Sequence, residues 1–333
     1  MLRWAIIGAG RIARKVGLAM QQSTSVVIRA VYARRRDAAQ DLANVLGAPT
    51  VYDTLDGIWQ DNTIDAVYIA LPNHMHASVA LAAIAAGKHV LIEKPMACSA
   101  AEVTLIQQAA NQANVVVMEA MMYRFHPQTA QVLALIAAGD IGEVRQVQVN
   151  FGYRQDNPQD IRMVESVGGG AIYDIGCYGV SLAQLVTHMT PTTVYALGMR
   201  GGNDVDVLAS GIFGYQHQCQ TQINVSFLGG FYQQARIIGY DGVIEIERPF
   251  TVFPDRVSVV RLWRGAHFAK ESQIVVPPAS HFVHQAEVFV HAVASAPAQR
   301  LVLTQSSATL SNAQVIDAWH RAMHSGQCEF VGM

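Results

Sequence analysis

Three polar side chains of this chain have types and spacing that suit proton transfer: Lys94, Asp174 and Tyr178. Burial lowers the pKa of a lysine, and a nearby ammonium lowers that of a tyrosine, so both can exchange protons near neutral pH. Asp174 and Tyr178 are four residues apart, which predicts that they share one face of a helix. The three groups could move a proton on or off a substrate oxygen. Asp174 suits a structural acceptor equally well, and Tyr178 alone would suit a core position.

Lys94 belongs to the tripeptide Glu93-Lys94-Pro95, which directly follows the apolar run at residues 89–92. Ligands of open parallel sheets bind beyond the carboxyl ends of the strands. A lysine one or two residues past such a strand therefore faces the ligand crevice. We expect Lys94 to face a cofactor there, with Glu93 beside it. The tripeptide alone also fits a solvated loop lysine next to a turn proline.

A glycine turn near the start of the chain reads Gly8-Ala9-Gly10-Arg11-Ile12-Ala13, between a predicted strand and a predicted helix. In such a GxGxxG/A pattern the first glycine makes the tight turn and the second lets the backbone approach a pyrophosphate. The helix N-terminus adds free N–H groups and positive potential. The turn predicts a dinucleotide site formed by Gly8, Gly10, Arg11 and Ile12.

Arginines follow the second predicted strand, in the sequence Ala33-Arg34-Arg35-Arg36. An NAD site would place a carboxylate here to accept from the ribose hydroxyls, whereas guanidinium groups pair with a 2′-phosphate. We therefore expect NADP as the favoured cofactor and NAD as a second possibility, with Arg34 and Arg35 as contacts and Arg36 on the surface. The alternative is that the arginines only begin a solvated helix.

The predicted strand at residues 64–71 is followed by a turn, in the sequence Leu71-Pro72-Asn73-His74-Met75-His76. Pro72 and Asn73 have structural reasons to stop a strand and turn the chain. Their place at the same sheet edge predicts that Leu71, Pro72, Asn73 and His76 contact the cofactor, with Asn73 and His76 beside the nicotinamide. The two histidines lack a third ligand at a plausible spacing, so we predict no metal site.

The elements that must position these residues fall into two regimes. Up to residue 121, short β-branched runs alternate with Ala-rich helical stretches such as 76–86 and 99–113, the second of which opens with a capping box of Ser99 and Glu102. The predicted strands are 2–7, 26–33, 64–71, 89–92 and 115–118. This alternation predicts a doubly wound parallel sheet, a Rossmann domain, over residues 1–121.

Residues 122–333 change to runs in which apolar and polar side chains partly alternate, which is typical of antiparallel strands. The predicted strands are 143–153, 193–200, 207–216, 219–228, 232–239 and 243–247, with Asp241-Gly242 as a hairpin turn. Helices are predicted near 170–187, directly after Gly168-Gly169-Gly170, and near 281–294 and 305–324. The expected fold is an α/β chain with a second α/β domain built on a large, mainly antiparallel open sheet. Its uncovered face predicts a homodimer or a dimer of dimers.

Composition excludes several functional classes. The chain has 333 residues, 51% hydrophobic residues, 14% charged residues and a net charge of -2. These values argue against a nucleic-acid or membrane-surface partner. The four cysteines are scattered without a CxxC motif, which favours reduced thiols. We find no signal peptide and no membrane span in the sequence, and we expect a cytoplasmic protein.

Taken together, these motifs resemble the Gfo/Idh/MocA oxidoreductase family. The segments that carry the resemblance are the Gly8 turn, Pro72-Asn73 with His76, Glu93-Lys94-Pro95, Glu119 with Tyr123-Arg124-Phe125-His126-Pro127, Gly139-Asp140-Ile141-Gly142, and Gly168-Gly169-Gly170 with Asp174-Ile175-Gly176. The resemblance implies oxidation or reduction of sugars, inositols or related polyols with NAD or NADP. It also implies that Lys94 contacts both cofactor and substrate.

Tyr178 stands where many members of that family carry histidine. In this respect the chain resembles the branch containing dimeric dihydrodiol dehydrogenase, NADP-linked D-xylose dehydrogenase and glucose-fructose oxidoreductase. Arg124 and His126 follow the predicted strand at residues 115–118, where they suit either substrate contacts or a cap for the helix that begins at Pro127. Tyr153, Arg154 and Arg162 are weaker candidates for substrate contacts.

The sequence thus predicts a cytosolic NAD(P)-dependent oxidoreductase acting on the CH–OH group of a sugar, polyol or cyclic diol. Lys94 and Tyr178 would form the proton-transfer pair, and Arg124, Asp174, Tyr178 and Lys94 would contact the substrate. The alternatives are a non-enzymatic NADP-binding sensor or regulator on the same fold, and a reductase of a non-sugar carbonyl.

Overall fold

The computed structural model describes residues 1–265, 270–304 and 306–332. The chain divides into two compact units, one formed by Met1–Met121 with Phe282–Thr309 and one formed by Met122–His281 with Leu310–Met333. The predicted domains, 1–121 and 122–333, stay a prediction. The contacts differ from it in one respect, because they group Phe282–Thr309 with the first unit.

The first unit contains a six-stranded sheet in which every neighbouring pair is parallel. Its strands are β1 (Leu2–Ile7), β2 (Val26–Tyr32), β3 (Thr50–Tyr52), β4 (Ala66–Ile69), β5 (His89–Ile92) and β6 (Val117–Glu119). The strands lie in the order β3-β2-β1-β4-β5-β6. Successive strands are thus added on one side of β1 as far as β3 and on its other side from β4 onward, as in doubly wound nucleotide-binding sheets. All four residues of β4 are buried, which explains the unbroken apolar run in the sequence.

Ten α-helices surround the two sheets within the described residues. They are α1 (Arg11–Met20), α2 (Arg36–Leu46), α3 (Leu55–Gln60), α4 (His76–Ala85), α5 (Ala100–Ala113), α6 (Pro127–Ala137), α7 (Cys177–Thr187), α8 (His281–Ala294), α9 (Pro297–Thr304) and α10 (Ser306–Ser325). At the start of α5 the Ser99 hydroxyl accepts from the N–H of Glu102, and the Glu102 carboxylate accepts from the N–H of Cys98. The predicted helix start at Ser99 is confirmed.

The second unit contains a nine-stranded sheet. Its strands are β7 (Val144–Gly152), β8 (Thr193–Arg200), β9 (Asp206–Gly214), β10 (Gln220–Ser226), β11 (Tyr232–Gly239), β12 (Gly242–Ile246), β13 (Ser258–Arg264), β14 (Lys270–Val276) and β15 (Glu329–Phe330). They lie in the order β14-β13-β12-β11-β7-β10-β9-β8-β15. Only β7 and β10 pair in parallel among these described strands. The predicted fold class, with its mainly antiparallel second sheet, is confirmed.

The predicted hairpin turn at Asp241-Gly242 is wrong by one residue, because β11 ends at Gly239 and β12 already begins at Gly242. Gly242 pairs with β13, and a Cβ on Gly242 would lie 2.4 Å from the carbonyl oxygen of Trp263. The glycine therefore serves a close approach between strands rather than the turn.

The helix predicted near 170–187 is not uniform. It begins with a π-helical segment, Ile172–Gly176, and continues as α7. The expectation that Asp174 and Tyr178 share a face assumed α-helical spacing, which this segment does not have. π-helical turns are rare and occur frequently at functional sites.

Within the described ranges, no helix is long and apolar enough to cross a bilayer. The same residues contain no group of three or more His, Cys, Asp or Glu side chains that could hold a metal ion. The four cysteines, Cys98, Cys177, Cys219 and Cys328, are free thiols.

Candidate active site

The turn between β1 and α1 requires glycine at its first position. Gly8 has a φ of +112°, and a Cβ there would lie 2.2 Å from the carbonyl oxygen of Ala70. The N–H of Gly8 donates to the carbonyl of Tyr32 at 2.7 Å, which joins the turn to β2. No side chain other than hydrogen fits this position.

Gly10 has the opposite surroundings. It is the N-cap of α1, and a Cβ on it would meet nothing within 4 Å. The N–H groups of the first helical turn, beginning with Arg11 and Ile12, lack intrahelical partners. Open space beside unsatisfied N–H groups at a helix N-terminus fits a pyrophosphate.

Close packing holds α1 against the sheet. Ala13 is completely buried. A Cβ on Gly17 would lie 2.8 Å from Leu46 and 3.0 Å from Ile6, so this second small residue also sets the distance of the helix. The pattern in the sequence ends at Ala13, and we did not identify Gly17 from it.

The arginines after β2 differ in their partners. The Arg36 guanidinium pairs with Asp53, and that of Arg35 lies 3.5 Å from the carboxylate of Asp37. Arg34 is exposed, and its guanidinium has no hydrogen-bond or ion-pair partner among the residues that the structure describes. Arg34 is therefore the arginine most available to an external anion.

Two carboxylates fix the backbone around Lys94. The Tyr68 hydroxyl donates to Oε1 of Glu93 at 2.5 Å, and the N–H of Lys94 contacts Oε2 of the same carboxylate at 3.3 Å. Glu119, at the end of β6, accepts from the N–H of Met96 at 2.9 Å. The Lys94 side chain is half-buried. Its loop is thus anchored from two neighbouring strands.

His76 links the two loops at this sheet edge. Its ring is completely buried, with Nδ1 2.9 Å from the carbonyl oxygen of Pro95 and Nε2 2.9 Å from that of Leu71. Burial lowers the pKa of His76, against the effect of both carbonyl groups. Pro72 and Asn73, which follow Leu71, are half-buried at the same edge. The predicted contacts of these four residues with a cofactor stay predictions.

In the second unit, Asp174 is held by two partners from other segments. The Tyr153 hydroxyl donates to Oδ2 of Asp174 at 2.5 Å, and Nε of Arg162 lies 3.2 Å from Oδ1. Arg162 also reaches Asp160 at 3.1 Å. Burial disfavours the charged form of Arg162 and so lowers its pKa. The attraction of Asp174, with smaller contributions from Tyr153 and Asp160, outweighs this effect, so the pKa of Arg162 is raised. Arg154, by contrast, pairs with Asp156 in solvent.

Tyr178 lies in an aromatic cluster. Its ring centroid is 5.3 Å from that of Phe250, 6.0 Å from Phe151 and 6.1 Å from Tyr123. The hydroxyl lies 3.6 Å from Sδ of Met122, a weak acceptor. The side chain is 6% exposed. Tyr178 is thus a buried ring whose hydroxyl contacts the Met122 thioether.

Arg124 and His126 flank the start of α6. The Nδ1 atom of His126 accepts from the N–H of Gln128 at 3.0 Å, so the capping alternative is confirmed for His126. Arg124 is half-buried, and its Nε atom is buried without a hydrogen-bond partner in the part of the chain that the structure describes.

The structure therefore forms two clusters, each within one unit. The carboxyl ends of β1, β4 and β5 bring together the glycine turn, the Leu71–His76 segment and the Lys94 loop. The second cluster contains Tyr153, Arg162 and Asp174. Sequence analysis placed Tyr153 and Arg162 only among the weaker candidates, because they lie in a strand-end segment and a loop with no motif.

Two family models match this chain. Residues 2–121 match the oxidoreductase family with an NAD-binding Rossmann fold, and residues 129–245 match the GFO/IDH/MocA C-terminal domain. The chain belongs to the Gfo/Idh/MocA oxidoreductase family. The predicted resemblance is confirmed.

Curated members of the Gfo/Idh/MocA family share up to about a third of the sequence. The NADP(+)-linked D-xylose 1-dehydrogenase 2 of Haloferax volcanii is 32% identical over 98% of each chain. The trans-1,2-dihydrobenzene-1,2-diol dehydrogenase of Xenopus tropicalis is 31% identical over 73% of this chain and 74% of its own. Both belong to the branch that the sequence predicted.

A solved family member has the same fold. The 3-ketoreductase from Actinomadura kijaniata, in complex with NADP and TDP-benzene, superposes with a TM-score of 0.90 at 27% identity, over 96% of this chain and 97% of that one. Variants of that enzyme in which a tyrosine is replaced by phenylalanine or a lysine by alanine match at 26% identity, with TM-scores of 0.89 and 0.86. The predicted preference for NADP agrees with the cofactor bound in these structures and named for the xylose enzyme.

Proposed function

We propose that this protein is an NADP-dependent oxidoreductase that transfers hydride between NADP and a hydroxyl or carbonyl carbon of a sugar, polyol or cyclic diol. One geometric observation carries the proposal. Lys94 leaves the carboxyl edge of the parallel sheet from a loop anchored by Glu93 and Glu119, at the edge where the Gly8 turn leaves space for a pyrophosphate. A nicotinamide-dependent reaction at a hydroxyl or carbonyl carbon needs a cofactor site and a proton-transfer group, and these two features can supply them.

The cofactor site fits NADP. Gly10 and the first N–H groups of α1 would hold the pyrophosphate, and the exposed guanidinium of Arg34 would hold the 2′-phosphate, with Arg35 as a second contact. NADP supplies the hydride chemistry when it is bound.

The chain itself must supply the proton for the substrate oxygen. We assign proton transfer to the Lys94 ammonium and the Tyr178 hydroxyl. The lysine and the tyrosine that were replaced in the Actinomadura kijaniata enzyme are separated along that chain by the same number of residues as Lys94 and Tyr178. This coincidence supports the pair. Asp174, which contacts Tyr153 and Arg162, would orient the substrate or exchange a proton with it. Arg124 would contact the substrate.

A substrate panel tests the proposal. Sugars, polyols and trans-dihydrodiols are assayed with NADP, and the corresponding carbonyl compounds with NADPH, by absorbance of the reduced nicotinamide. We expect turnover of at least one cyclic sugar or diol. Lys94→Met should reduce kcat by roughly 10³-fold, with NADP affinity unchanged within a few-fold, because general acid–base groups contribute on the order of 10²–10⁴.

The control variant is Lys270→Met, which changes an exposed lysine in β14 and should leave turnover unchanged. NADPH binding is measured separately by fluorescence. Tight NADPH binding without turnover of any compound would contradict the enzyme proposal and would favour a cofactor-binding sensor. Full activity of Lys94→Met would remove Lys94 from the mechanism.

We also propose that the outer face of the second sheet pairs with a second copy of this chain. Helices α6 and α7 pack against the sheet. Tyr195 and Met199 of β8 lie exposed opposite Ile212 and Leu208 of β9, and Leu197 lies exposed between them, opposite Ser210. Leu197 is 80% exposed. Contiguous apolar surface of this kind is typical of subunit interfaces.

Sedimentation tests the subunit proposal. Leu197→Glu should shift the protein toward the monomer. Leu105→Glu on α5 serves as the control, because Leu105 is also an exposed leucine and lies outside this sheet. A monomeric wild-type protein would contradict it. We place the protein in the cytoplasm, where its four free thiols would stay reduced.

A further inference from the structure

Asp206 is a buried carboxylate on the second unit that sequence analysis did not identify. It begins β9 and is only 4% exposed. Its Oδ2 atom accepts from the N–H of Ile172 at 2.6 Å, and the N–H of Ala171 also interacts with the carboxylate. Ile172 opens the π-helical segment that carries Asp174. The Asp206 side chain therefore binds the backbone just before a proposed functional residue.

The glycine triplet at residues 168–170 is shaped around this carboxylate. Gly170 has a φ of +113°, and a Cβ on it would lie 2.1 Å from Oδ1 of Asp206. A Cβ on Gly169 would lie 2.6 Å from the carbonyl oxygen of Val164. The N–H of Gly170 donates to the carbonyl of Arg162 at 2.9 Å. The turn thus connects Asp206 with the backbone of Arg162, whose side chain contacts Asp174.

Keeping a carboxyl group in this position has an electrostatic cost. Burial raises the pKa of Asp206 to about 7, although the N–H groups of Ile172, Asp206 and Ala171 and the charge of Arg200 on β8 oppose the change. Arg200 itself pairs with Asp204 at 3.1 Å. An uncharged side chain would avoid the desolvation cost, so the position of the acceptor atoms must matter.

We propose that Asp206 is a positioning residue, which fixes the turn at residues 168–170 and the start of the Ile172–Gly176 segment so that Asp174 keeps its contacts with Tyr153 and Arg162. The same anchor sets the start of the helix that carries Tyr178 into the aromatic cluster. Asp206 acts through backbone N–H groups and has no contact with substrate in this role. Its catalytic consequence rests on the function proposed above, whereas the anchor itself does not.

Hydrogen exchange tests the anchor without any substrate. Amide exchange is measured by mass spectrometry in the wild type, Asp206→Ala, Asp206→Asn and the control Asp204→Asn. Asp204 is exposed in the same loop and has a φ of +58°, which asparagine tolerates. We expect residues 170–178 to exchange about tenfold faster in Asp206→Ala, as for the loss of a helix cap, with a smaller change in Asp206→Asn, which keeps one acceptor oxygen.

Steady-state kinetics on the panel substrate test the consequence. Asp206→Ala should lower kcat about tenfold or more per folded molecule, with the Kd for NADPH unchanged, because the cofactor half is not altered. Asp206→Asn should recover part of kcat and should lose any inflection near pH 7 that the wild type shows in its kcat profile. Asp204→Asn should match the wild type.

Several results would overturn the proposal. Equal exchange at residues 170–178 in Asp206→Asn and Asp204→Asn, together with no increase in Asp206→Ala, would remove the anchor. Faster exchange at residues 170–178 with an unchanged kcat per folded molecule would show that Asp206 only caps the segment and does not affect catalysis. If Asp206→Ala does not fold, amide exchange and kcat of Asp206→Asn test the proposal instead. If the wild type shows no turnover, the proposed function is contradicted. The hydrogen-exchange result would still show whether Asp206 anchors residues 170–178.

Discussion

The two clusters of this protein are built in different ways. In the first unit the ligand-facing surface is mainly backbone: Gly8 and Gly10 remove side chains, and the N-terminus of α1 presents N–H groups. In the second unit the cluster is made of side chains, with Asp174 held by Tyr153 and Arg162 from two other segments. The turn has no room for an added atom at Gly8, whereas a side-chain cluster can lose one member and keep the others. Substitutions in the two units should therefore fail differently.

The largest effect on cofactor binding is expected for Gly8→Ala. A Cβ 2.2 Å from the carbonyl of Ala70, at a φ of +112°, must move the turn, so both stability and NADPH binding should suffer. We expect NADPH affinity to fall about 100-fold, which corresponds to about 3 kcal/mol, together with a lower Tm. Fluorescence titration and thermal unfolding measure the two quantities.

Gly87→Ala is the matched control for this change. Gly87 also has a positive φ, +72°, but a Cβ there would meet nothing within 4 Å. It should cost about 1–2 kcal/mol of stability from the left-handed backbone alone, without loss of NADPH binding. Equal behaviour of the two variants would show that backbone strain, and not the close approach to Ala70, governs the turn.

Tyr178→Phe should reveal the opposite pattern, with catalysis lost and stability kept. The ring would remain among Phe151, Phe250 and Tyr123, and only the hydroxyl would disappear. If that hydroxyl transfers a proton, kcat should fall by about 10²-fold while the Tm and NADPH affinity stay close to wild type.

Tyr215→Phe controls for the loss of a tyrosine hydroxyl elsewhere in the second unit, because the Tyr215 hydroxyl lies 2.9 Å from that of Thr221. Its kcat should not change. A small effect of Tyr178→Phe, similar to that of the control, would assign Tyr178 to packing.

Arg34→Asp tests the contribution of one side chain to cofactor binding in the first unit, where the ligand-facing surface is mainly backbone. Exchanging a guanidinium for a carboxylate removes a charge-assisted partner of a 2′-phosphate, so the ratio of kcat/KM for NADP over NAD should fall about tenfold. Arg36→Asp is the control, since Arg36 is engaged by Asp53. An unchanged ratio in Arg34→Asp would show that the arginine is only a surface group.

The contrast between the halves also explains what the sequence could predict. The glycine turn, Lys94 and the parallel strands are specified locally, by residues that are neighbours in the chain, and these elements of the fold were found. β3 was missed because it has three half-buried residues and no apolar alternation. β13, β14 and the two-residue β15 were missed as well. In β14 the charged, exposed Lys270 and Glu271 hide the alternation.

Side-chain partnerships across long loops leave no local pattern. Asp206 lies more than thirty residues after the backbone it contacts, as the separation from Ile172 shows. Its only trace in the sequence is the glycine triplet, which was identified as the start of a helix without the reason for its third glycine. Gly242 shows the converse error, because a glycine that serves strand packing was interpreted as part of a turn.

Tyr153→Phe should have the smallest effect. It tests how much one member contributes to the cluster of Tyr153, Arg162 and Asp174. The variant removes the hydroxyl that donates to Oδ2 of Asp174 and leaves the contact between Arg162 and Oδ1. We expect kcat to fall about fivefold, in line with the net contribution of a single hydrogen bond, with the Tm unchanged within a few degrees. Steady-state kinetics and thermal unfolding measure both. Arg162→Met should cost more, because it removes a charged partner from a largely buried carboxylate. A larger loss in Tyr153→Phe than in Arg162→Met would mean that the tyrosine hydroxyl, rather than the ion pair, determines the orientation of Asp174.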